Sequence, residues 1–306
     1  MAVRIRFCTF VPIVLAVLLL SIPSLAERTA AEQLRAMSDE DFHQMLIRAH
    51  NKKDANAQTL VGIAYMEGLK VPHDDVEAVK WFREASRLGQ AIAQNNLGLM
   101  YHLGRGVHED PVEAVKWFQV ASASGYYRAQ YNLAYMYFTG RGVEVNDAQA
   151  AKYAEIAALQ GHADAQHLIG YMYQQGIGVR QDLVAAEKWY RKSAEQGNLK
   201  GMNRLGLLYA AEGRSAEDHA FAQSMFQKAA DKGFAAAQTN LAALYMHGHC
   251  MKTDLVAAYA WLELAAKGGD AKGKRLLEQL KGKINRDQLN QATERAQSWE
   301  AAHPGG

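Results

Sequence analysis

The chain repeats itself every 36 residues, and that period bounds its fold more tightly than any single motif. Tyr65, Tyr101, Tyr137, Tyr173, Tyr209 and Tyr245 are each 36 residues apart. Gly89, Gly125, Gly161, Gly197, Gly233 and Gly269 keep the same step, as do Ala78, Ala114, Ala150, Ala186, Ala222 and Ala258. One bulky position is held by Trp81, Trp117, Tyr153, Trp189, Met225 and Trp261. A period of this length marks a stack of small supersecondary units, none of which can bury its own apolar face, so that neighbours complete one another's core. With only five prolines in 306 residues and abundant Ala and Leu, the units are helical.

Each period divides into two predicted helices. The second starts at Asp74, Asp110, Asn146, Asp182, Asp218 and Asp254, whose side-chain oxygens suit a helix N-cap. Glu77, Glu113 and Gln149 follow three residues later as a capping-box pattern, and Pro111 stands where the first turn tolerates it. The recurring glycines suit the left-handed residue that ends a helix. Six helix-turn-helix units are therefore predicted from Ala57 to Lys272. Repeat five departs most: its glycine shifts to Gly213 and Met225 replaces the aromatic, so local irregularity is expected there. Residues 27–56 are expected to cap the first repeat, with Phe42, Met45, Leu46 and Ala49 on one face of a helix opened by a Ser38 to Asp41 capping box. Residues 273–306, with Leu276, Leu277, Leu280, Leu289, Ala292, Ala296 and Trp299, are expected to form closing helices.

The stretches "AQNNLGLMYHLGRGVHEDPVEAVKWFQVASASG" (93–125) and "AQHLIGYMYQQGIGVRQDLVAAEKWYRKSAEQG" (165–197) resemble the Sel-one-like repeat family, a relative of the tetratricopeptide repeats. The resemblance covers 216 of the 306 residues. It implies an all-α, right-handed α/α superhelical solenoid whose first helices line a concave surface. It also implies adaptor work: holding envelope complexes, regulating a sensor's outer domain, or contacting a host protein after secretion.

The N-terminus reads as an export signal. Arg4 and Arg6 precede an apolar run from Phe7 to Leu20, and Ser24-Leu25-Ala26 places small residues where a signal peptidase needs them, so cleavage is expected after Ala26. The competing reading is a retained anchor, because Phe7 to Ala26 approaches the roughly 20 residues of a spanning helix. A mature chain would have no membrane span and would be periplasmic or secreted. Cleavage removes two of the 34 basic residues and none of the 32 acidic ones, so the mature charges balance and nucleic acid is a poor expectation as partner. It also removes Cys8, leaving Cys250 alone.

Counting each repeat from its first residue as zero, at about 100° per residue, positions 0, 1, 4, 5, 7 and 8 fall in one arc and recur, while positions 2, 3, 6, 9 and 10 face away and vary. The first arc reads as packing and the second as free to carry specificity. Across repeats two to four the free face holds Asn95, Leu99 and His102, then Tyr131, Tyr135 and Phe138, then His167, Tyr171 and Gln174. Tyrosine offers large contact area with a polar tip, so these nine form the candidate binding patch for a protein or peptide. The competing reading is that Tyr135 and Tyr171 fill gaps between adjacent first helices.

Other chemistries fit poorly. The two "GRGV" stretches follow helices and lack the Gly-Lys-Ser/Thr of a phosphate loop; no HExxH or GxSxG occurs. Relatives linked to β-lactam hydrolysis carry paired cysteines, which are missing here, and no serine begins an SxxK. "YMHGHCMK" (245–252) is the inner turn of repeat six, and the facing turn of repeat five offers no histidine or cysteine to complete a metal site. Cys250 occupies a slot that is glycine in repeats two to four and is Lys70 and Arg214 in repeats one and five; as a lone thiol it is the candidate for an intermolecular disulfide. The expected function is thus an exported, non-catalytic interaction scaffold that needs no cofactor or metal. The alternatives are an envelope hydrolase acting on peptidoglycan or β-lactams, and a carbohydrate-binding module.

Overall fold

The computed structural model describes residues 25–51, 53–211, 214–248 and 253–303. Residues 1–24 of the expected signal, and Cys250, lie outside them. The described residues form sixteen α-helices and no strand, in two compact units that meet in sequence between Asn146 and Asp147.

The first unit contains α1 (Leu25–Ala36), α2 (Asp39–Asn51), α3 (Ala55–Glu67), α4 (Asp75–Arg87), α5 (Ala91–Leu103), α6 (Pro111–Ala123) and α7 (Tyr127–Thr139). The second contains α8 (Asp147–Leu159), α9 (Ala163–Gln175), α10 (Leu183–Glu195), α11 (Leu199–Tyr209), α12 (Ala216–Ala230), α13 (Ala235–His247), α14 (Leu255–Lys267), α15 (Ala271–Lys281) and α16 (Arg286–Ala302). Within each unit the helices pair as hairpins and successive hairpins stack, which makes the fold an all-α solenoid.

Helix starts follow the predicted aspartates with two corrections. Asp74, Asp110, Asp182 and Asp254 accept from backbone N–H groups of the next helix's first turn. The N3 glutamates, however, do not reach back to close a box. The N–H they would take is already spent: those of Asp74 and Asp110 donate to the carbonyls of Tyr65 and Tyr101, at 3.0 and 2.9 Å. Glu77 and Glu113 pair with Lys80 and Lys116 instead. In repeat five the cap is Ser215 rather than Asp218, which sits at N3 and completes a true capping box. The helix α12 therefore begins earlier than its counterparts, while α11 ends early at Tyr209.

Inside four of the hairpins a glycine receives an aromatic ring. A Cβ on Gly98 would lie 2.7 Å from Cε1 of Phe118, and Gly62, Gly170 and Gly206 meet Phe82, Tyr190 and Phe226 in the same way. Where repeat six has Ala242 instead of glycine, the facing position shrinks to Leu262. These aromatics are fully buried, each worth about 1.5–3 kcal/mol of transfer free energy.

The flanks close the apolar ends. Leu34 of α1 and Phe42, Met45 and Ala49 of α2 are buried in the first unit's core. Ala292 and Ala296 of α16 and Leu280 of α15 bury against α14, with Trp299 packed at their edge.

Candidate functional site

First helices stack side by side within each unit, and a glutamine helps fix their spacing. The Nε2 of Gln94 donates to the carbonyl of Ser86 at 3.2 Å, and Gln166 and Gln238 do the same to Ala158 and Ala230 at 3.1 and 3.3 Å. These carbonyls belong to the last turns of preceding second helices, and each takes the glutamine amide as a second donor beside the backbone N–H of Gly89, Gly161 or Gly233.

The stacking also consumes part of the face expected to be free. Asn132 Nδ2 donates to Asn95 Oδ1 at 2.8 Å, and Asn240 Nδ2 donates to Asn203 Oδ1 at 2.9 Å. All four asparagines are buried. A neighbouring first helix covers positions 2 and 3, so an arc computed for an isolated helix overstates what solvent reaches. Of the nine candidate residues, Asn95, His102 and Tyr135 are buried. Leu99, Tyr131 and Phe138 in the first unit, and His167, Tyr171 and Gln174 in the second, remain partly exposed.

His102 lies edge-on to Tyr135, with ring centroids 6.4 Å apart. Neither of its ring nitrogens has a hydrogen-bond partner among the described residues. Burial, aided by the Arg141 charge and opposed by Glu109, lowers its pKa to about 4, so the ring is neutral at pH 7. Burial also raises the Tyr135 phenol, against the pull of Arg141.

In the second unit α9 and α11 build a denser cluster. Tyr190, fully buried, donates its hydroxyl to Gln174 Oε1 at 2.8 Å and stands 6.0 Å from the His167 ring. Burial of the imidazole, with Lys200 and Arg204 nearby, lowers His167 to about 3 despite its partial exposure as a residue. Asp164 accepts from Asn198 Nδ2 at 3.1 Å and lies 3.3 Å from Lys200 Nζ. Burial would raise its pKa, but Lys200, His162 and the Asn198 hydrogen bond together hold it below the usual carboxylate value. The guanidinium of Arg204 lies over the Tyr171 ring, 5.0 Å from its centroid. Asp164, Lys200 and Arg204 were not anticipated from sequence: Asp164 and Arg204 do not recur at their repeat positions, and Lys200 recurs only as Lys272.

The inner turns carry their own inter-repeat ties. Arg105 forks onto Asp75, with Nη2 2.6 Å from Oδ1 and Nε 2.9 Å from Oδ2, and Arg141 pairs with Glu109 at 2.7 Å. The slot after Arg105 is left-handed in Gly106, Gly142 and Gly178, and Lys70 holds the same conformation at φ 66°. A Cβ on Gly106 would strike the Asp75 carbonyl. Among the described residues no group of three or more His, Cys, Asp or Glu side chains could hold a metal ion, and no helix is long and apolar enough to cross a membrane.

Helical hairpins in a fixed register, stacked through their first helices, define an α-helical repeat scaffold. The Sel1 repeat matches six times, at residues 55–90, 91–126, 128–162, 163–198, 199–234 and 235–270, and the chain belongs to the Sel1 repeat family. Sel1 repeats commonly mediate protein–protein interaction and are typically non-catalytic scaffolds. Among solved structures, the chain is similar to a Sel1 repeat protein from Oxalobacter formigenes, at 29% identity and a TM-score of 0.67, over 79% of this chain and 97% of that one. It is also similar to a protective antigen of uropathogenic Escherichia coli with an SLR fold, at 26% identity and a TM-score of 0.54, over 93% of this chain and 77% of that one. No curated protein matches it.

Proposed function

We propose that the protein is an exported, non-catalytic scaffold, an adaptor or regulator in the cell envelope, that holds a protein or peptide partner on its first-helix surface. The observation that carries this reading is that the first helices, after packing claims Asn95, His102 and Tyr135, still leave Leu99, Tyr131 and Phe138 in one unit and Tyr171 and Gln174 in the other partly exposed. Partly exposed aromatics beside amides suit protein recognition, giving contact area at low entropic cost. Export is supported by the basic and apolar N-terminal pattern ending at Ala26. It agrees with similarity to an antigen, a protein the immune system meets.

The test is crosslinking in the native envelope followed by capture. Wild-type protein is expected to enrich one partner, and a folded Tyr131→Ala/Phe138→Ala/Tyr171→Ala variant to lose it. Unchanged capture by that variant would overturn the surface assignment. Mass spectrometry of the mature N-terminus is expected to find Glu27 first, and a full-length chain in the cytoplasmic fraction would overturn export.

A further inference from the structure

Charge is unevenly distributed over the first helices of the second unit. The helices α9, α11, α13 and α15 carry six cations, Lys200, Arg204, Lys272, Lys274, Arg275 and Lys281, against two acids, Asp164 and Glu278. Both acids are already paired, Asp164 with Lys200 and Glu278 with Lys281. The second helices of the same unit show no such excess: α8, α10, α12, α14 and α16 together hold ten acids against eight Lys and Arg. The chain as a whole is nearly neutral, so this cationic series is a local feature.

Arg204 is its centre. The residue is partly buried on α11, its guanidinium lies over Tyr171, and no carboxylate is within ion-pair distance of it among the described residues. A guanidinium over a ring face and outside any ion pair retains N–H donors that can take a carboxylate in two parallel hydrogen bonds. Along the same side, Lys272 of α15 donates to Asn240 Oδ1 at 3.2 Å, and Asn240 in turn donates to Asn203 beside Arg204. Arg275 is exposed one turn further along α15 and has no acidic partner among the described residues.

We infer that the first-helix surface of the second unit binds an extended acidic polypeptide segment, with Arg204 on its Tyr171 platform as the anchor and Lys272 and Arg275 as a second cationic contact. This rests on the scaffold reading above and adds the partner's chemistry. Adjacent packed helices lie about 8–10 Å apart, so α11 and α15, separated by α13, are about 16–20 Å apart. An extended chain rises about 3.3 Å per residue, so carboxylates roughly five or six residues apart would reach both contacts. A polyphosphate backbone fits less well, because nucleic-acid affinity is built from many unpaired cations, and here Lys272, Lys274 and Arg275 are the cations without an ion pair that accompany the partly buried Arg204 among the described residues.

The test uses the full chain and fluorescence anisotropy with a labelled peptide of alternating Glu and Ala, its Gln-for-Glu counterpart, a Lys-for-Glu counterpart and single-stranded oligo-dT. The acidic peptide is expected to bind, the neutral peptide to bind roughly tenfold more weakly, and Arg204→Gln to weaken the acidic peptide by about tenfold at unchanged melting temperature. Arg275→Gln, at an exposed site, should give a smaller loss and serves if Arg204→Gln perturbs folding. Equal binding of acidic and neutral peptides, or full binding by both variants, would overturn the inference. So would preferential binding of the basic peptide, which leaves the scaffold reading intact, or of oligo-dT, which makes the surface a nucleic-acid site. If no probe binds, the acidic reading falls, and the envelope capture decides the scaffold reading separately.

Discussion

Asn132 donates its side-chain amide to Oδ1 of Asn95 across 2.8 Å, and both residues are buried between adjacent first helices. Such a pair specifies register: a slip of one residue would leave two amides dry and unpaired. Asn132→Ala should cost about 1–3 kcal/mol, because the buried Asn95 Oδ1 loses its donor. The double change Asn95→Leu/Asn132→Leu should cost much less, since it removes both polar groups together. Urea denaturation of the three proteins checks this, and a double variant as unstable as the single one would refute it.

Gly98 faces Phe118 so closely that one added methyl must move the ring. Gly98→Ala is expected to destabilise by about 1–3 kcal/mol through overpacking. Repeat six supplies the remedy, since there Ala242 stands opposite a leucine, Leu262. Gly98→Ala/Phe118→Leu should therefore recover part of the loss, and thermal melts that show the two changes simply adding would argue against steric coupling.

His102 makes the fold acid-sensitive. Its pKa is about 4 when folded and near 6.5 as an ordinary histidine, so the unfolded chain takes the proton first. Stability from this group is complete above pH 6.5, falls as pH drops from about 6.5 to about 4, and is level below that. The loss amounts to at most about 3 kcal/mol. His102→Gln, which cannot protonate, should flatten that part of the pH–stability curve; an unchanged slope would place the acid sensitivity elsewhere.

The repeat was legible in sequence because its determinants recur: Tyr101, Gly125 and the aspartate caps appear at one period and act locally. The candidate surface was legible only in part. Asn95 and His102 looked free because nothing in their own hairpin covers them, and burial comes from the next first helix, which the period alone does not orient. The Arg204 cluster left no trace in the register, since Arg204 and Asp164 occur once each and meet only through Lys200, His167 and Tyr171. At the slot of repeat one equivalent in sequence register to Cys250, Lys70 holds the left-handed conformation at φ 66°, so a side chain is compatible with that turn.

The recurring tyrosine carries a further consequence. In repeats two, four and five its hydroxyl reaches back to the preceding second helix, but the partner there varies: Arg83 donates to Tyr101 at 2.8 Å, while Tyr173 donates to Glu155 at 3.2 Å. At Tyr209 both arrangements combine, since the hydroxyl donates to Glu187 Oε1 at 2.7 Å and accepts from Arg191 Nη2 at 2.9 Å. The Tyr209 hydrogen bond is the largest influence holding Glu187 below the ordinary glutamate pKa, ahead of Arg191. Tyr209→Phe should thus raise the Glu187 pKa, read by carboxyl NMR titration, and cost about 0.5–1.5 kcal/mol. A depressed carboxylate stabilises the fold above its unfolded pKa and stops doing so as pH falls through the folded value, so the cost should be larger at pH 7 than at pH 3. A Glu187 titration unmoved by the loss of the hydroxyl would show that Arg191 alone sets it, and that the tyrosine recurs for its ring rather than its oxygen.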